Sequence, residues 1–264
     1  MRESTKIIGM KRLKQIGIKF LLGTLLLNAL WLIASIWVPK GVIVSPIAVY
    51  AYLPNLLTGA MRGHLTASLY RLFIGIPIAF VLGSVLAWAA FRNKTAEHLI
   101  GSFTYLAYPI PKIALLPVVM LLAGLGDSGK ISMIVLILLF QVIVNVRDAL
   151  LSIPKESFVV AASLGAKGGK VAQHILLPAI LPALFSSLRV AIGVAVSVLF
   201  VTETYGTERG MGYFIVDAWM RFNYLDMYGG IVVLSITGFL LFIATDLLEV
   251  WLCPWEEVVA HEGG

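Results

Sequence analysis

Long apolar runs bounded by charges constrain this chain more than any other feature. Residues 20–38 pass without a charge, which is about 28 Å of helix at ~1.5 Å per residue and enough to cross the hydrocarbon core. Further runs cover about 65–91, 99–125, 131–146, 179–200 and 227–248. In lipid every backbone polar group must find its partner within the protein, so spans of this length are helices. Charged residues are only 13% of the 264, against about 25% in a soluble domain. Apolar residues are 59%, and the mean hydropathy is +0.95. That composition excludes a disordered chain, a nucleic-acid reader and an ordinary cytosolic enzyme. A cleaved signal peptide fits poorly, because the first run exceeds the usual ~7–15 residue core and no A-x-A site follows.

Six runs leave both termini on one side. With the N-terminus inside, the inner segments hold Arg2, Lys6, Lys11, Arg12, Lys14, Lys19, Arg92, Lys94, Arg147, Lys155, Lys167 and Lys170, twelve in all. The outer segments hold Lys40, Arg62, Lys130, Arg209 and Arg221, which is five. The excess of inner Lys and Arg predicts an N-in, C-in, all-α polytopic protein of six transmembrane helices. The expected organisation is a cytoplasmic basic N-terminus (1–19), the first span with an external segment (20–64), a core (65–250) and a cytoplasmic tail (251–264). Within 20–64 a short surface helix is expected over 47–61. Pro109, Pro111 and Pro117 predict a kinked or broken third span. Tight and mixed loops are expected over 126–130 and 201–226, and a cytoplasmic polar loop over 147–177.

Two motifs mislead. Gly124-Leu-Gly126-Asp-Ser-Gly129 matches G-x-G-x-x-G, and with Lys130 it falls one residue short of a Walker A motif, Ile131 standing where Ser or Thr is needed. Both motifs need a preceding buried strand, and here the flanks are spans. His64, His98, His174 and His261 lack ligand spacing on any helix face, and the one cysteine, Cys253, makes no Cys-based cluster. No metal or cofactor is expected. The G-x-S-x-G and H-E-x-x-H signatures of membrane hydrolases do not occur.

The cytoplasmic loop reads V159-V-A-A-S-L-G165-A-K-G-G-K-V-A-Q-H-I175-L-L-P178. It resembles the EAA loop of permease subunits of bacterial ATP-binding-cassette (ABC) importers: E-A-A-x-x-x-G, nine residues, then I-x-L-P. Ala161, Gly165, Ile175, Leu177 and Pro178 fall in register. Val159 stands in place of the family Glu and Val160 in place of the first Ala. Ser68-Leu-Tyr-Arg71-x-x-x-Gly75, Pro109-Ile-Pro-Lys-Ile-Ala-Leu-Leu-Pro117, and Glu203 with Gly206 and Gly210-Met-Gly212 resemble further segments of the nitrate/sulfonate/taurine/bicarbonate branch. The resemblance covers about 44–250.

This resemblance implies the MetI-like fold of type I importer permeases. It implies a second copy of the chain, two cytoplasmic ABC ATPase subunits, an external substrate-binding protein and alternating access in the bacterial inner membrane, with no nucleic acid and no chemistry on this chain. Val159, Val160, Ala161, Ala162, Leu164, Gly165, Ala166, Ile175, Leu177 and Pro178 would then form the ATPase-coupling loop. A short helix over 159–166 would present Ala161 and Gly165 on one face for close docking, with Val159, Val160 and Leu164 as apolar contacts. Gly165 suits either a left-handed cap or a close backbone approach. Pro178 suits the first turn of the fifth span.

Charges inside spans are costly, about 3 kcal/mol for one unpaired at the centre. Arg71, Lys112 and Arg189 therefore face protein or water, with Gln141, Asn145 and Glu203 as available polar partners. They would either line a path for anions, Arg189 foremost, or form structural pairs. Lys112, between prolines, would also satisfy freed carbonyls. The rival to an ATP-driven permease is an ion-coupled secondary carrier. That class favours paired acids at the midplane, and the expected spans hold almost none.

Overall fold

The computed structural model describes residues 21–38, 42–59 and 61–255. The basic segment 1–19 and tail residues 256–264 lie outside the described residues. Ten helices are labelled in chain order: α1 (Leu21–Trp37), α2 (Pro46–Thr58), α3 (Met61–Arg92), α4 (Lys94–Ala107), α5 (Leu116–Ala123), α6 (Asp127–Leu151), α7 (Lys155–Ser163), α8 (Gly169–Glu203), α9 (Met211–Met220) and α10 (Tyr224–Leu252). Among the described residues there is no strand.

Four helices, α3, α6, α8 and α10, are long and apolar enough to cross a membrane. The α4–α5 pair makes a fifth candidate, bent by 90° at its break. α1 is apolar, but its described part spans only about 26 Å at ~1.5 Å per residue, short of the ~30 Å hydrocarbon core. The expected surface helix is α2, opened by Ser45, whose side chain accepts from the Ala48 N–H.

The expected break of the third span is present. Pro109 and Pro111 each lack an N–H, so the helix stops at Ala107 and restarts through a 3₁₀ turn, Lys112–Leu115, before α5. Three sequence expectations need correction. Asp127 and Lys130 belong to the first turns of α6, since Gly126 already occupies the N-cap position. The expected loop 201–226 contains α9. The fifth span starts at Gly169, so Pro178 lies inside a continuous helix rather than opening one. The helix tolerates this through a π turn, Ala172–Leu176, in which the Leu177 N–H donates to Ala172 O, five residues back. The turn shifts the hydrogen-bond register just before the residue that has no donor.

Close packing fixes the directions of the spans. A Cβ on Gly75 would lie 2.9 Å from Ile134 Cγ2, and one on Gly83 would lie 2.7 Å from Val142 Cγ1. Each pair of partners is eight residues apart in the same sense, so α3 and α6 run parallel with side chains of α6 seated against bare backbone of α3. Parallel neighbours require the intervening chain to return, so the bent α4–α5 pair carries it back along the bundle. Asn145 pairs with Ser187 while Arg71 joins Asp127 at the start of α6 to Glu203 at the end of α8, and Arg189 pairs with Asp246 while a Cβ on Gly238 would lie 3.7 Å from Val196, so α8 runs antiparallel to both α6 and α10. The main core lies among α3, α5, α6 and α8, around Leu72, Met120, Ile134, Leu138, Ala195 and Leu199.

This seam yields a test. Gly83→Ala should lower the thermal midpoint of the detergent-solubilised protein by an amount equivalent to about 1–3 kcal/mol, the usual penalty for overpacking. Adding Val142→Ala in the same chain should recover part of the loss. No recovery would show that the two residues do not meet as described.

Candidate coupling loop and intramembrane charge sites

α7 stands between α6 and α8, with Glu156 in its first turn, where an acid complements the helix dipole. One side turns inward: Ser157, Phe158 and Ala161 are partly buried, and Phe158 packs at the edge of the apolar cluster of Ala87, Val142, Val146, Leu150 and Leu176. The other side is exposed, with Val159 65%, Val160 59% and Leu164 81% accessible. Glu156, Val159, Val160 and Ser163 form the outward stripe at i, i+3, i+4 and i+7.

The helix is shorter than the expected 159–166 at its far end. Ala162 is exposed, and Leu164 caps α7. Gly165 follows with φ +72°, and its N–H donates to Ala162 O, while the Ala166 N–H donates to Ala161 O. This is a Schellman cap, with glycine in the position that requires a left-handed backbone. A Cβ on Gly165 would meet nothing within 4 Å. The left-handed backbone at Gly165 meets the conformational reading of this glycine. Ala161 is partly buried, while Val159, Val160 and Leu164 form an exposed apolar face. Ile175, Leu177 and Pro178 sit in α8, at or just after the π turn; Ile175 and Pro178 are partly buried and Leu177 is half exposed.

The charged residues inside the bundle fall into three places. Arg71 is 2% exposed and Glu203 fully buried. Arg71 Nη1 donates to Glu203 Oε1 at 2.6 Å and to Arg209 O at 3.0 Å, and Arg71 Nη2 lies 2.7 Å from Asp127. Ser68 Oγ donates to Glu203 at 2.8 Å and accepts from the Met211 N–H at 2.8 Å. The Gly212 N–H donates to Glu203 Oε2 at 2.9 Å. The first amides of α9, which have no partners within their own helix, are thus met by a carboxylate and a hydroxyl. Gly210, with φ +125°, passes its backbone directly against the Glu203 carboxyl, where a side chain has no room. Glu203, which the sequence placed beyond the fifth span, is the last residue of α8.

Arg189 on α8 pairs with Asp246 and Glu249 on α10. The expected partners of the basic residues, Gln141 and Asn145, bond elsewhere: Asn145 Nδ2 donates to Ser187 Oγ at 2.8 Å and Gln141 Nε2 to Ser187 O at 3.5 Å. Lys112 donates to the carbonyls of Ala107 (3.0 Å), Tyr108 (2.9 Å) and Ile110 (3.4 Å), which the prolines leave without helical partners. Its ammonium also lies over the Phe140 ring, 4.9 Å from the centroid. Sequence reading missed Ser68, Asp127, Asp246 and Glu249 as partners. Asp246 and Glu249 carried a signal, two acids one helical turn apart near the end of a span that also faces a basic span. Among the described residues no group of His, Cys, Asp and Glu could hold a metal ion.

A bundle of apolar helices with buried ion pairs and an exposed apolar helix outside the spans is the build of a membrane permease. Residues 75–257 match the family described as binding-protein-dependent transport system inner membrane component. The chain belongs to that family: it is the non-catalytic inner-membrane permease subunit of an ABC importer. It is 29% identical over 234 residues to the formylaminopyrimidine transport permease protein ThiX of Halalkalibacterium halodurans, covering 88% of this chain and 94% of that one. It is 27% identical over 243 residues to the taurine transport system permease protein TauC of Escherichia coli, covering 89% and 88%. Its fold is similar to that of the methionine ABC transporter MetNI in an inward-facing conformation, with TM-score 0.57, 20% identity, and 74% of this chain and 95% of that chain covered. Family membership puts the source of energy in a partner, against a self-sufficient ion-coupled carrier.

Arg189→Gln should destabilise the bundle, because it leaves two carboxylates, on Asp246 and Glu249, without their counter-charge; losing one partner of a buried pair typically costs about 3–5 kcal/mol. The triple change Arg189→Gln, Asp246→Asn, Glu249→Gln should recover most of the thermal midpoint of the purified protein. An unchanged midpoint in Arg189→Gln alone would show that the pairing does not support the fold.

Proposed function

We propose that this chain works as a pair of identical copies, each crossing the membrane six times with both termini in the cytoplasm. In this reading 1–19 is a cytoplasmic basic segment, 20–64 the first span and external segment, 65–250 the permease core and 251–264 a cytoplasmic tail. Two ATPase subunits dock on the cytoplasmic loops, and an external binding protein delivers the solute. ATP-driven closure brings the two α7 helices together and opens the spans outward. The solute is small and anionic, of the nitrate, sulfonate or taurine kind; the name of the taurine relative supports this class.

The observation that carries the coupling role is the exposure of Val159, Val160 and Leu164 on a helix outside the spans, closed by the Gly165 cap. Three large apolar side chains in water are unfavourable unless a partner covers them. Val159 in place of the family acid makes this contact hydrophobic rather than ionic. Val160, Ala162 and Ala166 complete the docking surface, and Ala161 anchors it from behind. Ile175, Leu177 and Pro178 set the direction in which α8 leaves the loop.

Two experiments test this reading. Gly165→Asn should retain the co-purifying ATPase, because Asn accepts the left-handed backbone, whereas Gly165→Val should lose it, since a β-branched residue there is strained by more than ~1 kcal/mol. Equal retention by both variants would remove the coupling role of the cap. For orientation, in a Cys253→Ala background, Glu208→Cys in intact cells should react with an impermeant thiol reagent and Lys167→Cys should not. The reverse pattern would invert the topology.

A further inference from the structure

The membrane-embedded charges do not balance equally. At one end of the bundle two cations stand beside two acids: Arg71 contacts both Glu203 and Asp127, and Lys130, one turn from Asp127 on α6, donates to the carbonyls of Leu125 and Gly126. Arg189 has two acids to itself. Lys112 has none: its partners are three backbone carbonyls and the rings of Tyr108 and Phe140. Carbonyls and ring faces stabilise an ammonium but leave its unit charge uncancelled. Keeping such a charge inside a span is costly unless it faces protein or water.

Lys112 opens onto a cavity of about 340 Å³, lined also by Phe140 and Gln141 of α6 and Val198 of α8. A second cavity of about 570 Å³ lies between the same two helices nearer the coupling loop, lined by Asn145, Asp148 and Ser152 of α6 and Ser186 and Ser187 of α8. The polar residues of α6 recur at 141, 145, 148 and 152, a single face at spacings of four, three and four. Ser187 joins the two cavities, since both Gln141 and Asn145 donate to it. In a chain of mean hydropathy +0.95 a polar stripe of this length is exceptional. It leads from an uncancelled cation at the broken span to an exposed acid, Asp148, at the end nearer α7.

We propose that the groove between α6 and α8 is the inner half of the solute path, and that Lys112 at its head is the subsite for the solute's anionic group, a sulfonate, carboxylate or similar oxyanion. The proposal rests on the permease reading above and changes its residue assignment: Arg189, neutralised twice over, lies off the path, and Lys112 is on it. Gln141, Asn145 and Ser187 supply hydrogen bonds along the way. Asp148 repels the anion at the inner mouth, so that the solute leaves rather than lingers.

The test uses two thiol reagents of opposite charge as probes, 2-sulfonatoethyl and 2-(trimethylammonio)ethyl methanethiosulfonate, on the ATPase-bound permease in lipid nanodiscs. The background is Cys253→Ala. Rates at Gln141→Cys and at Ser152→Cys are each divided by the rates of the same reagents with a simple thiol in solution. At Gln141→Cys the anionic reagent should be favoured about tenfold. At Ser152→Cys, about 16 Å further along α6 and beyond the ~8–10 Å Debye length, the preference should fall to parity or below. Adding Lys112→Gln should abolish the preference at position 141, and Lys112→Arg should keep it. No reaction at Gln141→Cys with either reagent, or a preference there at or below parity, overturns the proposal. If Lys112→Gln prevents assembly, the difference between positions 141 and 152 decides alone. Retention of the ATPase on these same proteins keeps the permease reading separate from this outcome.

Discussion

An ionised side chain within an apolar bundle must have its counter-charge close by, and that requirement organises this protein. Arg71 cannot stay buried without Glu203 and Asp127, so α3, α8 and α6 are held together at one end of the bundle. Glu203 cannot remain a carboxylate on one ion pair alone, and it also accepts from Ser68 and the amide of Gly212. The last bond seats α9 against α3 and α8. Removing Arg71 would leave the buried Glu203 without its ion-pair partner in a low dielectric, which costs far more than an exposed pair contributes. The Arg189 pairs apply the same rule to α8 and α10 nearer their other ends.

The backbone obeys a parallel constraint, since lipid offers no partner for an orphaned carbonyl. Pro54, Pro77 and Pro182 lie inside helices, and two more marked irregularities among the described residues are repaired differently. At Pro109 and Pro111 the repair comes from a side chain, Lys112, which turns back onto the carbonyls of Ala107, Tyr108 and Ile110. At Pro178 the repair is made by the backbone itself, through the π turn at Ala172–Leu176. Both irregularities border the groove between α6 and α8 or the loop that feeds it. Irregular backbone in a membrane protein is tolerated where protein or a water-filled cavity surrounds it, and the cavity beside Lys112 fits that rule.

Four of the six expected spans, and a fifth as a bent pair, were legible because hydropathy is additive along the chain and needs no knowledge of neighbours. The break in the third span was legible because proline removes a donor wherever it stands. The partners of the charges were not: Glu203 lies 132 residues from Arg71, and Asp246 lies 57 from Arg189, and nothing local encodes either choice. The start of α8 was misread because Gly168-Gly169-Lys170 looks like a turn and Pro178 like a first helical residue. A π turn alters no composition, so the sequence gives no warning of the continuous helix. In the loop around α7, the pattern marked a glycine with a special backbone but not which kind, and φ at +72° shows a left-handed cap.

These features bear on how a push on α7 would travel. Phe158 packs against the apolar cluster that Ala87 of α3, Val142, Val146 and Leu150 of α6, and Leu176 of α8 form, so a push on α7 would enter the bundle there. Protein cores are close-packed and transmit displacement rather than absorb it. At the other end, α3, α6, α8 and α9 are tied by the Arg71–Glu203 cluster, which gives a displaced bundle a fixed point about which to turn. The α6–α8 groove lies between the pushed end and the tied end. Toward α7 its two walls are joined by side-chain hydrogen bonds, Asn145 to Ser187 and Gln141 to the Ser187 carbonyl, whereas nearer Glu203 the same helices share the apolar core of Ile134, Leu138, Ala195 and Leu199. Hydrogen bonds of that kind, each worth about 0.5–1.5 kcal/mol net, can be exchanged for water or solute at little cost. A displacement entering at Phe158 would therefore be taken up where the structure is softest, in the polar groove, while the charged ends stay closed.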